Sequence, residues 1–195
     1  MLVRISTQNR KMVNVPSVSL PPNRTCIGFA GYDAMPCWEE CYANKSYLRT
    51  ARDSWTINWL VWKDDSGRYF REIQTWIEAH ECHRFRWHVG GEIPNQSYAD
   101  QMVRIATELP WCQFLTFTKR HDLDYSNRTE NMHVFLSMWP EWGEVDRGLG
   151  LPYAWLLDPE NVDTRIPSKA KQCKGKCDAC LHCFTRNNDV VLTKH

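Results

Sequence analysis

The chain has 195 residues, 43% of them hydrophobic and 24% charged, with a formal net charge of +1. That length supports one domain with a sizeable core, and the near-neutral balance excludes a bulk electrostatic pull toward nucleic acid or a membrane surface. No apolar run reaches the 18 or so residues that span a bilayer, and "MLVRISTQNRKMVNV" lacks the apolar stretch of a secretory leader, so the chain is expected in the cytoplasm.

"VNVPSVSLPP" predicts a strand over Val13 to Leu20, stopped by Pro21 and Pro22. A loop with Cys26 follows, and residues from Cys37 to about Arg49 have helical character. "SWTINWLVWKD" and "RYFREIQTWIEAH" read as two helices broken at Asp65, Ser66 and Gly67. "HRFRWHV" is short, aromatic and β-branched, hence a strand, and Gly90-Gly91 stop it. In "SYADQMVRIATEL", Tyr98, Met102, Ile105 and Leu109 recur at helical spacing, with Ser97 placed as N-cap. "QFLTFTK", "MHVFLSMW", "YAWLLD" and "DVVLTKH" complete the strands. Strands alternating with helices predict a single α/β domain, 1–195, with a mostly parallel sheet, open or curled into a partial barrel. In such sheets ligands collect at the carboxyl ends of the strands. The ten Trp, seven Tyr and seven Phe read first as a core of large side chains, and second as a wall around a redox centre or planar ligand.

The cysteines carry the chemistry. Cys173-x3-Cys177-x2-Cys180-x2-Cys183 gathers four thiols in one loop, with Gly175 supplying backbone freedom. In a reducing compartment such a group is a metal site or redox thiols rather than structural disulfides. Structural zinc usually joins two separated pairs of ligands, whereas one short loop is closer to ferredoxin spacing. The expectation is one or two iron–sulfur clusters of the 4Fe-4S type, with zinc as the alternative. Cys26, Cys37 and Cys41 form a second group after the first strand, and Cys37-x3-Cys41 puts two sulfurs on one helical face. This group either holds its own iron or shares a centre with the tail, which would make the two groups neighbours in space. Cys112, which begins an apolar strand, reads as a small hydrophobe, and Cys82, between Glu81 and His83 at a helix end, reads as structural too.

"FRWHVGGEIPNQSYADQM" runs from a strand through Gly90-Gly91 to Glu92 at the sheet's carboxyl edge. Two glycines permit a close backbone approach by a ligand. Arg86 and His88, two apart, are expected on one strand face. Lys119, ending "FTK", is placed to meet an anion. These pieces, with "SLPP" before Cys26, "CWEECYA", "FLTFTKR", "FLSMWP" and "CKGKCDACLHCF" followed by "VLTKH", resemble the gene product 88 family of phage and mobile-element proteins over most of the chain. The resemblance implies a phage or plasmid origin, hence the host cytoplasm, and an iron–sulfur centre. A more distant likeness is to radical S-adenosylmethionine enzymes, which carry Cys-x3-Cys-x2-Cys after the first strand and a Gly-Gly-Glu that holds the cofactor's amino group. Gly90-Gly91-Glu92 is similar to the second motif, with His88 and Lys119 beside it as further cofactor-binding candidates. Cys37 and Cys41 match the first two cysteines of the other motif, where Asn44 stands at the third position and Ala179 replaces the aromatic usual before the last cysteine of such a motif in the tail.

Three functions follow from this reading. The first is an iron–sulfur protein with a redox or electron-transfer role and a redox partner of unknown identity. The second is a divergent radical S-adenosylmethionine enzyme, disfavoured by Asn44. The third is a zinc-stabilised binding module.

Overall fold

Gln113–Thr118 and Met132–Met138 are dense in Phe, Leu, Thr and Val, and they form the two central strands, buried along almost their whole length. The computed structural model describes residues 2–7, 12–26, 37, 41, 43, 49–140 and 142–194. Within these, the strands are β1 (Ser17–Val18), β2 (Arg84–Trp87), β3 (Gln113–Thr118), β4 (Met132–Met138), β5 (Tyr153–Leu157), β6 (Lys171–Gln172) and β7 (Val190–Thr193). The helices are α1 (Pro22–Thr25), α2 (Arg49–Asp64), α3 (Ser66–Ala79), α4 (Gln96–Glu108) and α5 (Cys177–Cys180). All seven strands pair in parallel in the order β1-β2-β3-β4-β5-β7-β6. This is one α/β domain, and near-sequential parallel order is what a partial βα barrel requires.

Helix starts follow local chemistry. Asp65 caps α3 by accepting from the Arg68 amide at 2.8 Å. The cap of α4 is Asn95, accepting from the Tyr98 amide at 2.9 Å, and not Ser97 as expected. Extended backbone at Asn95 lets its short side chain reach back to the helix, and Ser97 already lies inside the first turn. The first strand is shorter than its apolar pattern predicts. Residues Met12 to Asn14 form a turn with Asn14 at φ +62°, and Ser17–Val18 alone make a ladder. Pro22 starts a helical turn, α1, where a loop was expected, because proline suits the first helical position. The expected helix from Cys37 to Arg49 lies largely outside the described residues.

Helix–strand alternation also stops early. No helix joins β3 to β4; that connection is held by side chains instead. Asn131 donates to the carbonyls of Ala106, Leu109 and Cys112, tying the end of α4 to the start of β4.

The sheet has two different faces. Phe85, Trp87, Phe114, Val134, Leu136, Tyr153 and Trp155 point toward α3 and α4 and form the main core with Tyr69, Phe70, Ile73, Tyr98 and Met102. The aromatic load is spent mainly here, in edge-on pairs such as Phe70–Tyr98 at 4.8 Å and Phe85–Trp87 at 5.3 Å. Cys82 and Cys112 belong to this core, Cys112 as the apolar strand it begins predicted. Burial pushes the Cys112 thiol up to about 12. The opposite face, with Leu115, Phe135, Ala154 and Val190, is covered by Met12, Val15 and Phe184.

Candidate functional site

Because every strand is parallel, the segments after β1, β2 and β3 emerge on one edge. They bring together Cys26, Glu92 and Lys119, three residues singled out in the sequence. Cys26 ends α1, its amide bonded to the Pro22 carbonyl at 2.8 Å. The Thr25 hydroxyl donates to the Pro21 carbonyl at 3.0 Å and accepts from the Glu92 amide at 3.0 Å. Ser19 accepts from the amides of Val89 and Gly90 at 3.0 and 3.2 Å. The Gly-Gly-Glu segment is thereby stitched to the chain that leaves β1.

Both glycines are filled by the protein's own atoms. A side chain on Gly90 would meet the Trp55 indole at 2.7 Å. One on Gly91, at φ +77°, would collide with the Leu20 carbonyl oxygen. The close backbone approach predicted for a ligand is here an approach by Trp55 and Leu20.

Glu92 is buried, and three donors or cations meet its carboxylate. The Thr118 hydroxyl donates to Oε2 at 2.7 Å, the Lys119 amide donates to Oε1 at 3.2 Å, and Lys119 Nζ lies 3.8 Å from Oε1. Burial pushes Glu92 above the usual carboxylate range, against the pull of Lys119 and Thr118. Burial alone would lower Lys119, but Cys37, Glu92 and Cys26 outweigh it and hold the ammonium above its usual range. The ammonium is therefore the firmly charged member of the pair. Cys37 is thus the first of the charge neighbours that raise Lys119. Cys26 is raised by burial first and by Glu92 second, with Lys119 opposing. Cys26, Cys37, Glu92 and Lys119 thus form one electrostatic group. Behind it, Arg120 clamps the loop: it donates to the carbonyls of Ile93 and Pro94 at 2.6 and 2.8 Å and forms a fork with Asp122. Thr25, Thr118 and Arg120 carried no sequence signal beyond standing next to Cys26 and Lys119. The position of Asn44 lies outside the described residues.

His88 and Arg86 do not share a face, contrary to the alternation expected of a strand. β2 ends at Trp87, and His88 takes φ +51°, which turns its ring toward α4. There Nε2 lies 3.1 Å from the Tyr98 hydroxyl, which is 2.8 Å from the Tyr69 hydroxyl. Burial, then the nearby Arg86, bring the His88 imidazole down to about 3. Among the described groups it is a neutral histidine of the helix-side core. Arg86 points to the other face, its guanidinium 5.0 Å from the centre of the Phe117 ring.

That other face carries the tail. β6 ends at Gln172, and the chain must return to the amino end of β7, because the two strands are parallel. The return, through Cys173, α5 and a 3-10 turn at His182–Phe184, packs Cys177, Cys183 and Phe184 against the Leu115–Phe135 face. Gly175, at φ +66°, donates its amide to Cys173 Sγ at 3.4 Å. Leu181, at φ +50°, reverses the chain between Cys180 and Cys183. Cys183 is pushed up to about 12 by burial, then by Cys173 and Cys177, with Arg86 opposing and Cys180 adding a smaller push. All four tail sulfurs are thus electrostatic neighbours. Among the described residues, no three His, Cys, Asp or Glu side chains converge closely enough to hold a metal ion. The donor set nevertheless suits a thiolate-bound group: four sulfurs around one turn, an amide already directed at one of them, and backbone reversals at Gly175 and Leu181.

The gene product 88 family model matches residues 3–186. The chain belongs to the gene product 88 family. The match takes in both cysteine groups and the Gly-Gly-Glu segment of this family member. No curated protein and no solved structure matches it. Among the described residues, no helix is long and apolar enough to cross a membrane.

Proposed function

We propose that this protein is an iron–sulfur protein of phage or mobile-element type, whose tail thiolates Cys173, Cys177, Cys180 and Cys183 hold a cluster of the 4Fe-4S type and pass electrons to a redox partner in the cytoplasm. The observation that carries the reading is the setting of Cys183: it is half-buried against the apolar cluster on the sheet, with the other three tail thiols as its charge neighbours. When bound, a cluster supplies one-electron chemistry. The chain's own part is to hold the four sulfurs, to give an amide to Cys173 and to keep water from Cys183 with Phe184 and Phe117. Binding would displace the Cys183 proton, because the ligand is a thiolate.

A second reading, a divergent radical S-adenosylmethionine enzyme, is favoured by one observation: Cys26, Cys37, Glu92 and Lys119 form one group at the carboxyl edge. Cys26, Cys37 and Cys41 would hold a second cluster. Glu92 would accept from the cofactor's ammonium and Lys119 would meet its carboxylate, with His88 supporting the fold behind them.

Anaerobic purification with iron, acid-labile sulfide and zinc analysis tests the proposal. A brown protein with iron and sulfide, lost in Cys177→Ala and retained in Cys112→Ala, is expected. A colourless protein with stoichiometric zinc overturns it in favour of a zinc-stabilised module. The second reading requires 5′-deoxyadenosine from S-adenosylmethionine, abolished in Glu92→Ala. The reduced protein is expected to form none.

A further inference from the structure

Arg86 has an unusual setting for an arginine. It stands mid-strand in β2, in register with Leu115 of β3, on the face that the tail covers. Its Nη1 donates to the Met12 sulfur at 3.1 Å, a weak acceptor, and its guanidinium lies over Phe117. Its Nε is buried and has no hydrogen-bond partner among the described residues. No carboxylate among the described residues pairs with it, although Arg68, Arg104, Arg120, Arg147 and Arg165 all have one. Arg86 as a whole is half-buried, and drawing part of a guanidinium out of water is costly without a counter-charge. Cys183 packs on the same apolar cluster as Phe117, the ring that the Arg86 guanidinium covers.

We propose that Arg86 is the counter-ion of the tail centre: a positioning residue whose charge meets no carboxylate among the described residues and is matched when the four tail sulfurs bind as thiolates. The inference rests on the tail being a metal site. It goes beyond that reading by assigning a charge partner from β2, about a hundred residues away in the sequence. Two consequences follow. Four thiolates place net negative charge beside the guanidinium, so metal affinity depends on it. Reduction by one electron changes iron from the ferric to the ferrous state without breaking a bond, and adds one further negative charge. A cation beside the centre favours the reduced form.

The test uses the full chain with Arg86→Met, Arg86→Gln, Arg86→Lys and Met12→Leu. Cobalt(II) is titrated into each apoprotein and followed by its thiolate charge-transfer band. Each protein is then reconstituted with iron and sulfide and titrated electrochemically against a one-electron mediator. Either neutral variant is expected to bind cobalt about tenfold more weakly and to shift the reduction equilibrium about tenfold toward the oxidised form, equivalent to about 59 mV lower potential. Arg86→Lys and Met12→Leu keep the charge and are expected to stay close to the wild type. The use of two neutral replacements keeps the test open if one fails to fold. Unchanged affinity and potential in a folded neutral variant overturn the Arg86 proposal and leave the tail site standing. No charge-transfer band in the wild type overturns both.

Discussion

At Gly91 the backbone adopts φ +77° while its Cα faces the Leu20 carbonyl and the Thr25 hydroxyl. Any side chain there meets both a left-handed backbone penalty and a backbone oxygen that cannot move aside. Gly91→Ala is therefore expected to cost about 3 kcal/mol or more, read as a lower urea midpoint, and an unchanged midpoint would contradict the geometry. The same residue has close neighbours within the protein itself. A glycine pair before a carboxylate announces close approach, and it is indeed closely approached, by Leu20 and Trp55. Glu92 keeps its predicted place at the carboxyl edge because strand direction alone sets that edge. Its partners Thr118 and Thr25 come from segments that no local pattern links to it.

At the scale of elements, β2, α3 and α4 meet in the chain His88–Tyr98–Tyr69. Groups facing the imidazole are the Tyr98 hydroxyl from α4, with Tyr69 of α3 behind it, and the Arg86 charge from β2. The unfolded histidine titrates near 6.5 and the folded one near 3. Between these values the unfolded chain binds a proton that the native protein refuses. Stability from the neutral ring is thus fully present above pH 6.5 and is lost as pH falls toward 3, at up to about 1.4 kcal/mol per pH unit. His88→Asn tolerates the positive φ and removes the titration, so its stability is expected to fall less steeply with acid over that window. Parallel acid limbs for the two proteins would show that His88 titrates normally.

Across the whole molecule, the tail determines whether the sheet's second face is covered. Phe184 is almost fully buried among Leu115, Phe135 and Ala154, and so anchors the return from β6 to β7. Phe184→Ala is expected to cost about 3–5 kcal/mol and, by loosening the tail, to speed trypsin cleavage at the already exposed Lys174 and Lys176 more than elsewhere in the chain. If the tail were an appendage rather than part of the fold, neither the thermal midpoint nor the cleavage rate would change. With the cysteines on this segment, tail docking and thiol positioning are one event.

The sequence by itself determined the helices α2, α3 and α4, the central strands, the parallel sheet and the two cysteine groups. Periodicity, strand composition and cysteine spacing are local properties, encoded within about a dozen residues. β6 escaped because two exposed residues, Lys171 and Gln172, have no pattern, and they are a strand only because β7 lies beside them. The tertiary structure alone decided that Arg86 and His88 part company, through a single positive φ at His88, and that Trp55 fills the space at Gly90. It also decided that Cys183 lies over the β2–β3 face. These are outcomes of packing between segments many tens of residues apart, where burial and charge pairing outweigh any local preference.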